Sequence, residues 1–272
     1  MDRFQWEDRY GMQSGQLVMT TQATKGSDSN RIDSAEATAL FVEDRFTTGA
    51  MTITAGARYE EITVMRDDWG KTDPDRSEVP SEREHTMDVI VPGVGVEYAI
   101  NEFQTVSLGV HKGFAPPGPG TSGVTDKAVD PETSMNTEIG FKSNKGLNSL
   151  EFTLFMNSYD NLLGADTAAS GGGTDELFNG GAVDISGFEL YLRRLLVDND
   201  RLQMPLELAW TNTNSEFQES FDGFWGDVSK GDELPYLPET MVSINLGLVV
   251  DKISANISMK QTSEMRTVAG SG

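Results

Sequence analysis

The sequence predicts an all-β fold, the wall of an antiparallel transmembrane β-barrel, on three observations. Apolar and polar residues alternate with a period of two almost throughout. Short and long connections between the alternating segments take turns. The acidic residues crowd into the long connections rather than the segments.

The alternation is clearest in Met51–Glu60, where Met51, Ile53, Ala55, Ala57 and Tyr59 fall on one face and Thr52, Thr54, Gly56, Arg58 and Glu60 on the other. In 105–111, Val106, Leu108 and Val110 oppose Thr105, Ser107, Gly109 and His111. The pattern recurs at 150–156, 188–193, 206–210, 244–248 and 253–259, and no segment forms an amphipathic helix. About twelve strands are expected, near 2–12, 16–24, 35–46, 50–66, 85–100, 103–113, 135–144, 147–162, 183–197, 202–214, 239–250 and 252–262. Several reach 10 to 16 residues, where soluble strands have about 5–6 and tilted membrane strands need about 9–11.

Tight turns are predicted at Ser14-Gly15, Thr47-Thr48-Gly49, Asn101-Glu102, Asn144-Lys145-Gly146, Asp198-Asn199-Asp200 and Asp251-Lys252. Long polar connections are predicted at 25–34, 67–84, 114–134, 163–182 and 215–238. A meander sends every second connection to the same end, so this sorting matches a barrel with short periplasmic turns and long outer loops. Asp67, Asp68, Asp73, Asp75, Glu78, Glu82 and Glu84 fall in one long connection; Asp126, Asp130 and Glu132 fall in another.

Composition excludes other classes. The 272 residues include no cysteine, which removes disulfide scaffolds and thiolate chemistry. With 43 acidic against 21 basic residues the net charge is -22, the wrong sign for nucleic acid. No stretch approaches the ~18 consecutive apolar residues of a membrane-spanning helix. The first ten residues lack the basic and apolar regions of a signal peptide, so the chain is expected either to lack its beginning or not to be exported.

The candidate chemistry is sparse. His85 and His111 sit beside strand ends without partners at metal-ligand spacing, and His111 heads toward the interior by alternation. Arg58, Arg193 and Lys112 are basic residues expected near or inside the lumen. They either pair with Glu43, Glu60 or Glu189 across strands or attract an anionic metal chelate. Arg58, His111, Lys112 and Arg193 are therefore the candidate substrate-binding residues; no catalytic residue, metal site or cofactor is expected. The glycine run within 168–174 lacks the Gly-Lys-Ser/Thr ending of a phosphate loop, and the 67–75 acidic cluster lacks EF-hand spacing. Trp6, Tyr10, Phe46, Tyr98, Phe103, Phe114, Phe141 and Tyr159 fall near strand ends, as aromatic girdle residues would.

Several segments resemble the barrel of TonB-dependent receptors. They are Phe41-Val-Glu-Asp-Arg-Phe46 followed by 52–60, His111-Lys-Gly-Phe-Ala-Pro-Pro-Gly118, and Pro131-Glu-Thr-Ser-Met-Asn-Thr-Glu-Ile-Gly-Phe-Lys142. Tyr159-Asp-Asn-Leu162, Asn179-Gly-Gly-Ala-Val-Asp-Ile-Ser-Gly-Phe-Glu189 and Leu234-Pro-Tyr-Leu-Pro-Glu239 follow in the family's order. Within the family the first two look most like the ferric citrate receptor branch. The resemblance implies an outer-membrane location, contact with lipid, and active uptake of a scarce nutrient, with a ferric chelate of siderophore or citrate type as the leading cargo. It also implies energy from the TonB complex acting through a TonB box and plug, and no enzymatic activity. Against the family's 22 strands the chain reads as a barrel segment spanning 1–272, with plug and C-terminal strands absent. A passive porin-like channel is the alternative reading.

Overall fold

The computed structural model describes residues 1–26, 29–118, 130–165, 177–223 and 226–270; the 168–174 glycine run and Asp126 lie outside the described residues. Its strands are β1 (Asp2–Gln5), β2 (Arg9–Gln13), β3 (Gln16–Thr21), β4 (Ser29–Thr48), β5 (Met51–Asp68), β6 (Ser81–Asn101), β7 (Gln104–Ala115), β8 (Glu132–Lys145) and β9 (Asn148–Asp160). They continue as β10 (Leu163–Ala165), β11 (Leu177–Asn179), β12 (Val183–Asn199), β13 (Leu202–Phe217), β14 (Phe221–Gly223), β15 (Gly226–Val228), β16 (Thr240–Val250) and β17 (Ile253–Thr262). Eleven of them form one antiparallel sheet in the order β1-β4-β5-β6-β7-β8-β9-β12-β13-β16-β17.

Two-residue connections at 49–50, 102–103, 146–147, 200–201 and 251–252 gather at one end of this sheet, called here the lower end. Gly49 and Gly146 supply the positive φ, +57° and +61°, that such turns demand. Connections 6–28, 69–80, 116–131, 161–182 and 218–239 gather at the upper end, and three of them carry a ribbon of their own: β2–β3, β10–β11 and β14–β15. The segments expected as wall strands near 2–12 and 16–24 are thereby reassigned. Only Asp2–Gln5 joins the wall, and Ser14-Gly15 turns a separate ribbon in an upper connection. Residues 29–34, expected in a connection, belong to β4. A ribbon alternates with the same period as a wall strand, so the pattern cannot say which sheet a short strand joins.

The sheet has an apolar and a polar face, and the apolar one changes sides partway up. On β4, β5 and β6 the rows Phe46–Ile53–Val96, Val42–Ala57–Pro92 and Leu40–Tyr59–Ile90 share one face. The next row up that face is Thr38–Glu61–Asp88. Above it the apolar residues lie on the opposite face, where Ile62, Val64 and Met87 are buried with Phe114 against them. No register shift interrupts β5, so the change is one of surroundings rather than of backbone. A second cluster, Val183, Phe217 and Val228 with Tyr159, Leu162 and Leu234, sits on the same inner side. Each such buried side chain stabilises by about 1.5–3 kcal/mol.

The upper border of the apolar face can be followed across ten strands as Leu40, Tyr59, Ile90, Val110, Met135, Met156, Phe188, Trp210, Val242 and Met259. It descends overall along the sheet, rising only from Val110 to Met135, which pairs with Lys112. Val110 pairs with Val94, four residues below Ile90; Phe188 pairs with Leu154, two below Met156; Trp210 with Leu190; and Met259 with Ile244. Of the residues expected in an aromatic girdle, Phe46, Tyr98 and Phe141 lie on the apolar face near its lower end. Phe114 and Tyr159 instead pack into the two inner clusters, and Tyr10 belongs to the β2–β3 ribbon.

Gly187 marks a close approach. A Cβ there would collide with the Asn212 carbonyl oxygen and lie 2.9 Å from the Phe155 ring. Gly187→Ala is expected to lower stability by about 1–3 kcal/mol, a shift readable in the temperature at which the folded form is lost on a detergent gel. An unchanged midpoint would mean that β12 and β13 have room to separate there.

Candidate functional site

On the polar face of β4 to β7 a hollow of about 570 Å³ is lined by Phe41, Glu43, Gly56, Arg58, Gly93 and His111, and Lys112 reaches it as well. Ligand pockets commonly measure about 300–1,000 Å³. Its floor is flat because Gly56 pairs with Gly93, which pairs with His111, and Gly95 pairs with Gly109. A Cβ at Gly56 would lie 2.9 Å from the Val42 carbonyl oxygen, whereas at Gly109 it would meet open space. Arg58 Nε donates to the Glu60 carboxylate, and the Arg58 side chain is still 48% exposed.

Three of the four residues singled out from sequence therefore meet at one place. Arg58 and His111 stand on the polar face, as alternation predicts. Lys112 falls in the row of Val106, Leu108 and Val110, one position above the apolar border, and borders the hollow where pairing of β6 with β7 ends at Gly93–His111. Arg193 lies elsewhere, on β12, with Nε 3.6 Å from Glu207 of β13 rather than paired with Glu189. His85 pairs in register with Val64 at the upper end, and among the described residues no group of three acidic or imidazole side chains could hold a metal.

Sequence reasoning missed a second polar constellation above the hollow. Asp33, 6% exposed, sits on β4 with Arg66 Nε 2.6 Å, Arg31 Nε 3.6 Å and Arg3 Nε 3.7 Å from its carboxylate. Arg83 stands next in register after Arg66. Burial, and then the charge of Arg66, hold the Arg31 guanidinium below its ordinary pKa. In a chain of net charge -22, this is a local excess of positive charge drawn from β1, β4, β5 and β6. Its arginines come from four different strands, so no spacing announces it.

The 69–80 connection is held chiefly by Arg76 and Asn30. Arg76 donates through Nη2 and Nη1 to Asp2 at 2.7 and 3.2 Å and through Nε to Asn30 Oδ1 at 2.8 Å. Its guanidinium lies 4.7 Å from the Trp69 ring centre and 5.3 Å from that of Phe4. Asn30, 2% exposed, donates Nδ2 to the carbonyls of Gly70 and Asp73. The Asp73 carboxylate, one of those weighed for calcium, instead accepts from Glu78 N, Ser77 N and Ser77 Oγ.

Those backbone donors hold the Asp73 carboxyl below its ordinary value of 3.8, and Arg76 does the same for Asp2. A depressed carboxylate contributes stability that is complete above its unfolded pKa and is lost as pH falls through the folded one. Amide protection of residues 69–80 should thus be flat from neutral pH down to about 4 and fall only below it. Loss of protection already near pH 6 would assign the ordering to other groups.

The family model described as "TonB dependent receptor-like, beta-barrel" matches residues 2–256. Among curated proteins none matches by sequence. Solved structures with the same fold include the ferric yersiniabactin uptake receptor FyuA from Yersinia pestis, at 17% identity and TM-score 0.65, covering 90% of this chain and 37% of that one. The siderophore receptor PiuA from Acinetobacter baumannii is similar at 16% identity and TM-score 0.67, covering 90% and 35%. The ferric citrate transporter FecA in its unliganded form is similar at 18% identity and TM-score 0.68, covering 92% and 35%. The chain thus spans little more than a third of the length of these receptors.

Proposed function

The chain belongs to the TonB-dependent receptor family, transporters of the Gram-negative outer membrane and not enzymes, and from that premise we propose that it forms part of the wall of a receptor importing a ferric chelate of siderophore or citrate type. The apolar face of β4 to β17 meets lipid, the polar face lines the lumen, and the upper connections face the outside of the cell. Energy comes from the TonB complex, acting through a plug and TonB box elsewhere in the receptor.

The observation that carries this reading is the lumenal hollow with Arg58 and His111 at its rim, beneath the arginine group around Asp33. Guanidinium forks match carboxylate oxygens two at a time, and they stand here in an otherwise acidic chain. Both groups suit an anionic chelate. FyuA and FecA are named for ferric yersiniabactin and ferric citrate and PiuA for a siderophore, which favours the same class.

The test is uptake of radiolabelled ferric citrate and ferric siderophores by iron-starved cells carrying the whole receptor, with and without TonB. Uptake that depends on TonB, with affinity reduced roughly tenfold or more in Arg58→Ala/His111→Ala, is expected. Arg58→Lys should recover only part of it, since an ammonium cannot reproduce the fork. Passage unaffected by loss of TonB would favour the passive channel, and full affinity in the double variant would remove the hollow from the cargo path.

A further inference from the structure

On the apolar face below its border the described residues carry a single carboxylate, Asp44. It stands between Val42 and Phe46, in the row Asp44–Ala55–Val94, two rows below the border at Leu40–Tyr59–Ile90. It is exposed, and no described side chain bonds to it; its neighbour Arg45 points to the other face and reaches Glu97 at 3.3 Å. A charge at this depth in hydrocarbon is costly unless it is paired. A one-residue slip would carry Asp44 to the polar face only by carrying Leu40, Val42 and Phe46 there with it, and register across all eighteen pairs of β4 with β5 is unbroken.

Asp44 also lies on a strand with one open edge. β1 covers only Ser29–Ile32 of β4, so among the described residues Ser34–Thr48 pairs with β5 alone. Backbone groups along such an edge cannot remain unpaired in a bilayer. We infer that the barrel strand that pairs with the open edge of β4 presents an arginine or lysine on its lipid face opposite Asp44, forming a buried ion pair at that seam of the wall. A cation fits better than a neutral donor because only a cation offsets the carboxylate charge where no water reaches it.

This rests on the membrane-wall reading, and the experiment separates the two. In the whole receptor, Asp44→Asn, Asp44→Leu and Val94→Asp are compared by membrane assembly and by the temperature at which the folded form is lost on a detergent gel. Asp44→Asn, which leaves the cation unpaired, and Asp44→Leu, which also removes the acceptor, should both lose the folded form at lower temperature than the parent, Asp44→Leu more so. Either one melting at or above the parent temperature overturns the ion pair, since an isolated or protonated carboxyl would gain from its removal. Val94→Asp puts a carboxylate at the same row on an interior strand with apolar neighbours, and should fail to assemble. If Val94→Asp assembles normally, the lipid assignment of this face fails, whatever Asp44 does.

Discussion

An Asp33→Ala receptor is expected to lose about 2–4 kcal/mol at the upper end of the wall. Removing one partner of a buried ion pair costs about 3–5 kcal/mol because the other charge is left uncompensated. Here the carboxylate is 7% exposed but its arginines range from 13% for Arg66 to 40% for Arg3, so water screens part of that loss. Three guanidinium groups would then face one another across β1, β4 and β5, and the four-residue pairing of β1 with β4 should open first. Hydrogen exchange of residues 2–5 and 29–33 would report it, with protection retained on the lower halves of β4 and β5. Asp33→Asn keeps acceptor geometry without charge and should fall between the parent and the alanine variant. An alanine variant as protected as the parent would show that solvent alone satisfies the arginines.

Arg76→Ala is expected to free the 69–80 connection while leaving the wall intact. One side chain there makes a two-pronged ion pair, a bond to a buried amide and stacking on two aromatic rings. No other group in that connection makes long-range contacts of comparable number. Charge-assisted forks and ring stacking are each modest at an exposed site but act together here. Exchange of the 69–80 amides should accelerate on the order of tenfold or more, and limited proteolysis should cut there first. Arg76→Lys keeps the charge but not the fork or the planar stack, so it should rescue little. If cleavage instead began in the β2–β3 ribbon for parent and variant alike, Arg76 would not be what orders its connection.

Much of the wall was legible because a sheet with one apolar and one polar face imposes a strict period of two. Met51 to Tyr59 reads off directly, as do Val106 to Val110 and Ile253 to Met259. Above the row Leu40–Tyr59–Ile90 the rule inverts without any mark in the chain. Glu60 and Glu61 follow one another, and Ile62 and Val64 then take the opposite face on an unbroken strand. A sequence reader meets only a pause in the alternation. The β2–β3 ribbon misled for the opposite reason, since Tyr10, Met12, Leu17 and Met19 alternate as a wall strand would. Of the candidate site, Arg58 and His111 follow from parity alone. Their meeting at one hollow depends on the two registers that join β5 to β6 and β6 to β7, and Arg3 reaches Asp33 only because β1 folds against β4, which no local pattern encodes.

The descending apolar border fixes an angle. From Leu40 to Met259 it falls ten residues over nine strand-to-strand steps, following the pairings from β4 to β17. At ~3.3 Å per residue and ~4.8 Å per step, that is a fall of about 33 Å over about 43 Å. On the proposed membrane reading this border follows a flat bilayer surface, and the strands then lean by about 37° from its normal, inside the 35–45° typical of closed barrels. Strands that complete the ring must continue this stagger of about one residue per step. A different offset would leave a ledge where the last strand meets the first, with polar side chains held in hydrocarbon.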